Sequence, residues 1–266
     1  MRFRFRPVLA AAVAAAVLGA SGCAELADGP ATSPFTNPPL VERSQVVPEF
    51  TPPHSDALAT IHARLAELPV KGRAPRTGYA RDEFGQRWSD DVPVALGHNG
   101  CDTRNDILAR DLVDVEYRPG TRDCVVVSGT LHDPFTGATI DFVRGNDTSN
   151  AVQIDHVVSL SDAWQKGAQG LDPDTRRAFS NDPLNLLAVD GPANQQKGDG
   201  DAATWLPSNS SFRCRYVARQ TVVKHRYGLW VTQAERDAIE RWLGTCGPED
   251  DAALALLVEG DVAGRG

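Results

Sequence analysis

The stretch of sequence that decides the fold runs from Gln153 to Lys197. Its informative segments read Q-I-D-H-V-V at 153–158, N-D-P-L-N-L-L at 181–187 and G-P-A-N-Q-Q-K at 191–197. The apolar residues of the first two segments predict two short strands. The proline of the third predicts a helix, because the first helical position needs no backbone N–H. The sequence therefore predicts two strands followed by a helix.

The polar side chains of this stretch offer a base, oxygen ligands and a cation. His156 has an unperturbed pKa of about 6.5, so its imidazole can accept a proton from water near neutral pH. Asp155 and Asn194 supply the kinds of oxygen atom that Mg²⁺ prefers. Lys197 shares a helix face with Asn194 and is placed to neutralise phosphate. Together these residues predict phosphodiester hydrolysis assisted by one divalent cation.

Each of these residues also has a structural interpretation. A histidine on an apolar strand is often a packed core residue, and Asp155 could accept a hydrogen bond from a loop amide. Strand alternation places Asp155 and His156 on opposite faces, which argues against one site unless the strand is twisted or bulged. Asn185 could cap backbone groups in a turn, and Lys197 could be a solvated helix residue.

The order and spacing of these residues resemble the HNH, or ββα-metal, nucleases. In that family an Asp-His pair is followed by an Asn and then by a second Asn with a Lys close behind. The segment from about Arg73 to Cys246, which includes N-G-C-D-T-R-N-D at 99–106, is also similar to secreted HNH proteins related to the nuclease domain of GmrSD-type restriction enzymes. The chain departs from the simplest pattern in the long insertion before Asn185 and in Ser159, where many relatives have proline.

The resemblance implies an α+β fold with a ββα-metal (HNH) core, additional helices, a β-hairpin and disulfide bonds. It implies that His156 is the general base and that Asn185 holds the loop and orients His156. Asp155 and Asn194 would bind Mg²⁺, Mn²⁺ or another divalent cation. The residues expected on substrate phosphate are Lys197 and, from its matching segment, Arg104.

The N-terminus predicts export. Basic residues precede an apolar run at 8–18 that is too short to span a bilayer, and small residues lead to Cys23. We therefore expect a lipid anchor on Cys23, with the protein held on the extracytoplasmic side of a membrane. Ordinary signal cleavage and secretion is the alternative, because Ala20 stands where Leu is usual.

Composition divides the chain into four parts. We expect a signal peptide at 1–23, a Pro-rich tether with room for one short helix at 24–72, the nuclease domain at 73–247 and an acidic disordered tail at 248–266. The tether has few large apolar side chains, so it cannot offset the entropy of ordering.

Local patterns predict the remaining elements of the domain. The expected helices cover 103–112, 161–167, 173–179, 212–227 and 233–243, and the expected strands cover 123–130 and 139–143 around a turn at 133–137. The last helix begins with the capping box Thr232-Gln233-Ala234-Glu235.

The cysteines predict two disulfide bonds. Without Cys23, the chain has Cys101, Cys124, Cys214 and Cys246, an even number in an exported protein. Three pairings are possible, and we favour Cys101–Cys124 with Cys214–Cys246 because each pair lies within one local module. Structural zinc is the weaker alternative, since no C-x-x-C motif is present.

The formal net charge of −8 excludes a global attraction to nucleic acid, so positive charge must be concentrated locally. One candidate surface is the acid-free segment between Asp201 and Glu235, although a solvated helix face explains it equally well. Its cations are Arg213, Arg215, Arg219, Lys224 and Arg226. The aromatic residues Tyr79, Phe84 and Trp88, interleaved with arginines, favour core packing over base stacking.

The sequence thus predicts an exported, divalent-metal-dependent endonuclease that acts as a monomer. DNA is the expected substrate, with low sequence specificity, because no module for reading base edges is visible. The alternative is a non-catalytic envelope lipoprotein that retains the fold as a binding module. A hydrolase of other phosphodiesters is a third interpretation.

Overall fold

A computed structural model of the chain describes residues 56–146 and 148–263. The predicted signal peptide, Cys23 and residues 24–55 of the predicted tether lie outside the described residues. The described part is a mixed α+β structure. Its helices are α1 (Asp56–Glu67), α2 (Thr103–Asp111), α3 (Leu160–Gln165), α4 (Pro173–Asn181), α5 (Gly191–Lys197), α6 (Arg213–Arg226), α7 (Gln233–Leu243) and α8 (Asp251–Ala263). Its strands are β1 (Leu112–Tyr117), β2 (Val126–His132), β3 (Thr139–Val143), β4 (Val152–His156) and β5 (Leu186–Asp190).

Strands β4 and β5 and helix α5 form the unit that the opening stretch predicts. The two strands pair antiparallel, with His156 opposite Leu186. Helix α5 starts directly after β5, because the Asp190 carboxylate accepts the Ala193 N–H at 2.8 Å and proline occupies the first turn. The helix packs against both strands. The predicted order of strand, strand and helix is confirmed.

The β4–β5 pair lies between two hydrophobic cores. Ile154 and Leu186 face the smaller core, which also includes apolar residues of α2 and of the three-stranded sheet. Leu187 and Val189 face the larger core, which is built mainly from the helices. Both faces of the pair are therefore apolar, and this explains why both strands read as nearly continuous hydrophobic runs.

The second sheet has the order β1-β2-β3, all antiparallel. The predicted hairpin between β2 and β3 is confirmed, and its turn is closed by the Asp133 N–H donating to the Ala138 carbonyl at 2.8 Å. Strand β1 was not expected from the sequence. It begins at Leu112, directly after α2, where the helical pattern was extended one residue too far.

Helix α1, which precedes the predicted domain start at residue 73, packs on the folded domain. Ile61 and Leu65 of α1 are 0% and 1% exposed and pack against α6 and α8. Each such side chain contributes roughly 1.5–3 kcal/mol through burial. The short helix foreseen in the tether therefore docks on the domain.

The predicted disordered tail is wrong as far as Ala263. Residues 251–263 form α8, which packs against α1 and α6. Leu254 and Leu257 are 0% and 5% exposed, and Asp261 pairs with Arg64 at 3.1 Å. The acidic composition gave no indication that α1 and α6 bury the side of α8 that carries Leu254 and Leu257.

Two disulfide bonds join Cys101 to Cys124 and Cys214 to Cys246, the pairing favoured from the sequence. Their Cα–Cα distances of 5.1 and 5.2 Å lie in the ordinary range. The first ties the start of α2 to the start of β2, and the second ties α6 to the end of α7.

A buried ion network fixes the helices behind the β4–β5 pair. The Lys166 Nζ lies within 2.7 Å of carboxylate oxygens of Asp162, Asp201 and Glu235. The Lys224 Nζ lies 3.0 Å from Asp162 and 2.6 Å from Glu235. Because both lysines have fully buried side chains, the network has no solvent to screen it. It joins α3, α6, α7 and the segment after α5.

No helix within the described ranges is long and apolar enough to cross a bilayer.

Candidate active site

His156 ends β4 at the edge of a cleft, with 8% of its surface exposed. Its Nε2 lies 2.9 Å from the Ser180 carbonyl oxygen, which can only accept, so Nε2 carries the proton. Nδ1 is therefore the unprotonated nitrogen. The indole of Trp88 stacks on the imidazole with ring centroids 6.1 Å apart. These contacts fix both the tautomer and the plane of the ring.

Burial lowers the pKa of His156 to about 3, the hydrogen bond to Ser180 opposes this shift, and the charges of Arg81 and Lys197 add to it. The imidazole is consequently neutral at pH 7. A neutral ring with a free Nδ1 is the protonation state that a general base requires.

Asp155 precedes His156 and is buried, at 4% exposure. Its Oδ1 accepts a hydrogen bond from the Lys197 Nζ at 2.9 Å. Its Oδ2 is buried and has no hydrogen-bond partner among the described residues. Burial raises the pKa of the carboxyl group, and Lys197 opposes that shift. A buried oxygen without a donor is costly unless some other group satisfies it.

Asn194 lies on α5, half buried, and its Nδ2 donates to the Gln153 Oε1 at 2.9 Å. Because the amide nitrogen is engaged, the carbonyl oxygen is the atom of this side chain that remains for a ligand. Gln153 in turn lies on β4, so the strand sets the orientation of the helix residue.

Asn185 is fully buried and closes the loop after β4. Its Oδ1 accepts the Val158 N–H at 2.9 Å, and its Nδ2 donates to the Val158 and Phe179 carbonyls. Its own carbonyl accepts the Val157 N–H at 2.8 Å. Asn185 thus holds the two residues that follow His156, and it does not reach the cleft.

Asp155, His156 and Asn194 line one cleft of about 440 Å³, which we call the catalytic cleft. The objection from strand alternation does not hold here. Asp155 and His156 are the last two residues of β4, and both line this cleft. Arg76, Arg81, Ser161 and Asp199 also line it. The cleft therefore combines a neutral base, an unsatisfied carboxylate oxygen, an amide and two arginines.

The profile of the family described as GmrSD restriction endonucleases, C-terminal domain, matches residues 102–242. That match covers more than half of the chain and contains every residue named above from Gln153 to Asn194. The chain belongs to the GmrSD C-terminal domain family.

A relative from Arthroderma benhamiae, named "Uncharacterized secreted protein", is 36% identical over 202 residues. The alignment covers 75% of this chain and 91% of that protein. No solved structure matches the chain.

Two residues predicted to contact substrate phosphate lie elsewhere in this GmrSD-type domain. The side chain of Lys197 is fully buried, and its Nζ donates to Asp155 and to the His156 carbonyl oxygen at 2.8 Å. It is therefore engaged inside the protein, where it holds Asp155. Arg104 lines a second cleft of about 420 Å³ that shares Asn194 and Arg81 with the catalytic cleft.

Three arginines of this second cleft were not singled out as site residues from the sequence. We call it the arginine cleft, and its cations are Arg81, Arg87, Arg104 and Arg144. Arg81 and Arg87 share one segment, but Arg104 and Arg144 come from two others, so no single motif connects all four. The interleaving of arginine with Trp88 was the one local signal, and it was interpreted as core packing. Tyr79 and Phe84 do pack that way, whereas Trp88 covers His156.

The basic segment of α6 is neither a solvated face nor a phosphate surface. Arg215 pairs with Asp250 at 2.7 Å, Arg219 donates to the Leu184 carbonyl at 2.9 Å, and Lys224 belongs to the buried network. These cations hold the helix to its neighbours. The segment contains no acidic residues, and the partners of its cations come from other segments.

Cys214, Cys246 and Asp250 are close enough together to suggest a metal site by distance. The two cysteines are joined in a disulfide bond, and Asp250 pairs with Arg215. This cluster is therefore structural.

Proposed function

We propose that the chain is an exported endonuclease that hydrolyses phosphodiester bonds with the help of a divalent cation, and that β4, β5 and α5 are its ββα-metal core. Membership of the GmrSD C-terminal domain family supports nuclease chemistry in general. The observation that carries the finer proposal is the buried Asp155 Oδ2, which has no donor among the described residues and belongs to a side chain that lines the same cleft as His156.

The residues present fit a divalent cation. Asp155 Oδ2 and the Asn194 carbonyl oxygen would hold it, and both are hard oxygen donors of the type that Mg²⁺ and Mn²⁺ accept. The pairing of Asp155 with Lys197 leaves Oδ2 as the free oxygen of that carboxylate. When bound, the cation would supply Lewis-acid stabilisation of the phosphate and of the departing oxygen.

His156 acts as the general base in this proposal. Its Nδ1 takes a proton from the attacking water, and the Ser180 carbonyl, which accepts from Nε2, stabilises the imidazolium that forms. A substrate phosphate in the cleft brings negative charge, which raises the pKa of the imidazole toward the range that general-base catalysis needs. Asn185 keeps the backbone after His156 in place and so acts as a positioning residue.

Lys197 is also a positioning residue in this proposal. Because its ammonium donates to Oδ1 of Asp155, it orients the carboxylate and opposes the rise that burial causes in the Asp155 pKa. The role first expected for Lys197, a contact with substrate phosphate, would require this buried ion pair to open.

DNA with low sequence specificity is the proposed substrate. We propose export because the N-terminus has a signal-like pattern, the domain has two disulfide bonds, and a relative is named as secreted. Lipid anchoring through Cys23 and a monomeric state are parts of the same proposal.

The deciding experiment is plasmid degradation by the purified mature protein with Mg²⁺ or Mn²⁺. We expect activity that disappears with EDTA and falls at least about a thousandfold in His156→Ala, while circular dichroism shows an intact fold. His132→Ala is the matched control, since His132 is exposed on β2, and it should retain activity.

Other outcomes would overturn the proposal. Equal cleavage by wild type and His156→Ala would identify a contaminating nuclease. Inactivity of the wild type on every phosphodiester would favour a non-catalytic binding module. Turnover of small diesters without action on DNA would make the protein a hydrolase of a different substrate class.

A further inference from the structure

The arginine cleft adjoins the catalytic cleft, and Asn194, Arg81 and Ile154 line both. None of the described residues that line the arginine cleft is acidic. Ser149, Asn150 and Gln153 add neutral polar groups to its wall. In a chain with a net charge of −8, four arginines in one concave site form a local concentration of positive charge.

Three of these arginines have no hydrogen-bonding or ion-pairing role within the described part of the fold. Arg81, Arg87 and Arg104 make no side-chain hydrogen bond or ion pair to any described residue. Burial lowers the pKa of Arg104, and the charge of Arg144 lowers it further, so the two cations repel each other at close quarters. The arginines of α6 differ, because each of those discussed above has a partner. Cations that line one cleft and have no hydrogen-bond or ion-pair partner among the described residues are the arrangement expected for an anion site.

Arg144 is fixed before any ligand arrives. Its Nε donates to the Val126 carbonyl at 2.6 Å, and its Nη2 donates to Asn105 Oδ1. The remaining N–H groups of its planar guanidinium are therefore held in one orientation, which suits the bidentate recognition of a phosphate. Asp102, the nearby carboxylate that favours both charged arginines, is engaged with Asn105 at 2.6 Å and does not line the cleft.

We propose that the arginine cleft binds a non-scissile phosphate group of the same nucleic-acid strand that is cleaved in the catalytic cleft. This inference rests on the proposed function. It assigns Arg104, Arg144, Arg81 and Arg87 to the strand beyond the reacting phosphodiester. The enzyme therefore favours a polymeric substrate, because a small diester has no flanking phosphate and cannot use this binding energy.

Binding is the first arm of the test. The double variant Arg104→Gln/Arg144→Gln is compared with Arg236→Gln/Arg241→Gln, which removes the same charge from α7, outside both clefts. Both are made in the His156→Ala background in EDTA, and anisotropy of a labelled 20-base-pair duplex is measured against NaCl concentration. We expect binding about tenfold weaker or more for the cleft variant. Its log Kd–log salt slope should fall by about 0.9, the value for one lost phosphate contact, and the α7 variant should keep the parent slope.

Turnover is the second arm. With His156 restored and Mg²⁺ present, the cleft variant should lose about tenfold more kcat/KM on duplex DNA than on bis(p-nitrophenyl) phosphate. Equal losses on the two substrates, or an unchanged salt slope, would overturn the assignment. Since Arg144 also holds backbone, Arg87→Gln is the second variant. The Arg87 side chain makes no hydrogen bond or ion pair with any described residue, so this variant should reduce the slope without affecting the fold.

The two proposals fail in different ways. Duplex binding that depends on the cleft arginines in a protein that cleaves nothing would leave the cleft assignment standing and remove the hydrolase. Cleavage whose rate does not depend on these arginines would leave the hydrolase standing and remove the cleft assignment.

Discussion

Three neighbouring side chains at the catalytic cleft are interdependent. Lys197 holds one oxygen of Asp155 and also donates to the His156 carbonyl, so one ammonium fixes both residues of the Asp-His pair. This explains why a lysine follows Asn194 by one helical turn. The sequence predicted a contact with substrate, but the spacing serves an internal ion pair as well.

Lys197→Met should destabilise the protein by about 3–5 kcal/mol, because it leaves a buried carboxylate without its cation. Asp155→Asn/Lys197→Met should recover part of that loss, since both charges are then absent. Urea unfolding of the wild type, Asp155→Asn, Lys197→Met and the double variant measures the coupling. A stability unchanged in Lys197→Met would show that the lysine is free to contact substrate, as the sequence suggested.

At the scale of the elements, we expect the packing of α3, α6 and α7 to depend more on the buried ion network than on intrinsic helix propensity. Lys166 contacts three carboxylates, and each comes from a different element or segment. Lys166→Met should therefore cost about 3–5 kcal/mol in the free energy of unfolding, measured with urea. Exposed Lys71→Met is the control, and a similar loss there would discount the network.

The same network makes stability depend on pH. Burial raises the pKa of Asp201, but the charges of Lys166 and Arg73 outweigh it and hold the pKa well below its ordinary value of 3.8. The resulting stability is present above about pH 4 and is lost as the pH falls below it, because the unfolded chain then binds the proton first. Between pH 5 and 3, the wild type should lose more unfolding free energy than Asp201→Asn. Asp237→Asn, on the exposed side of α7, should follow the wild type.

Helix α8 makes a separate prediction about the C-terminus. Leu254→Ala should cost about 2–5 kcal/mol, because the side chain is fully buried against α1 and α6. Leu256→Ala is the matched control, since Leu256 is 68% exposed on the same helix. Thermal unfolding that is equal for the two variants would restore the interpretation of this segment as a disordered tail.

Local patterns predicted most of the elements, and long-range contacts explain what they missed. The capping box at Thr232, the proline of α5 and the hairpin turn at Asp133 are signals contained in a few adjacent residues, and the structure has all three. The segment that forms α8 carries acidic residues and no strong helix signal, and the helix packs against α1 and α6. No pattern within one segment reports such a partner.

The candidate site shows the same division. Asp155, His156, Asn185 and Asn194 lie in one ordered stretch, so their spacing could be compared with a family. The arginines of the arginine cleft come from three segments between residues 81 and 144, and only the folded chain brings them together. The apparent basic surface on α6 failed for the converse reason, because carboxylates and carbonyls from other segments occupy its cations.

At the scale of the whole molecule, two disulfide bonds join separate segments of the described domain, and we expect them to contribute strongly to its free energy of unfolding. Cys101–Cys124 and Cys214–Cys246 span 23 and 32 residues of sequence. Loop-closure entropy assigns roughly 3–4 kcal/mol to each, which is large beside the marginal stability of a typical domain. Cys214→Ala/Cys246→Ala should lower the melting temperature by several degrees, and dithiothreitol should lower that of the wild type further, because it opens both bonds. A melting temperature that is insensitive to dithiothreitol, with thiol titration confirming reduction, would show that packing alone maintains the fold.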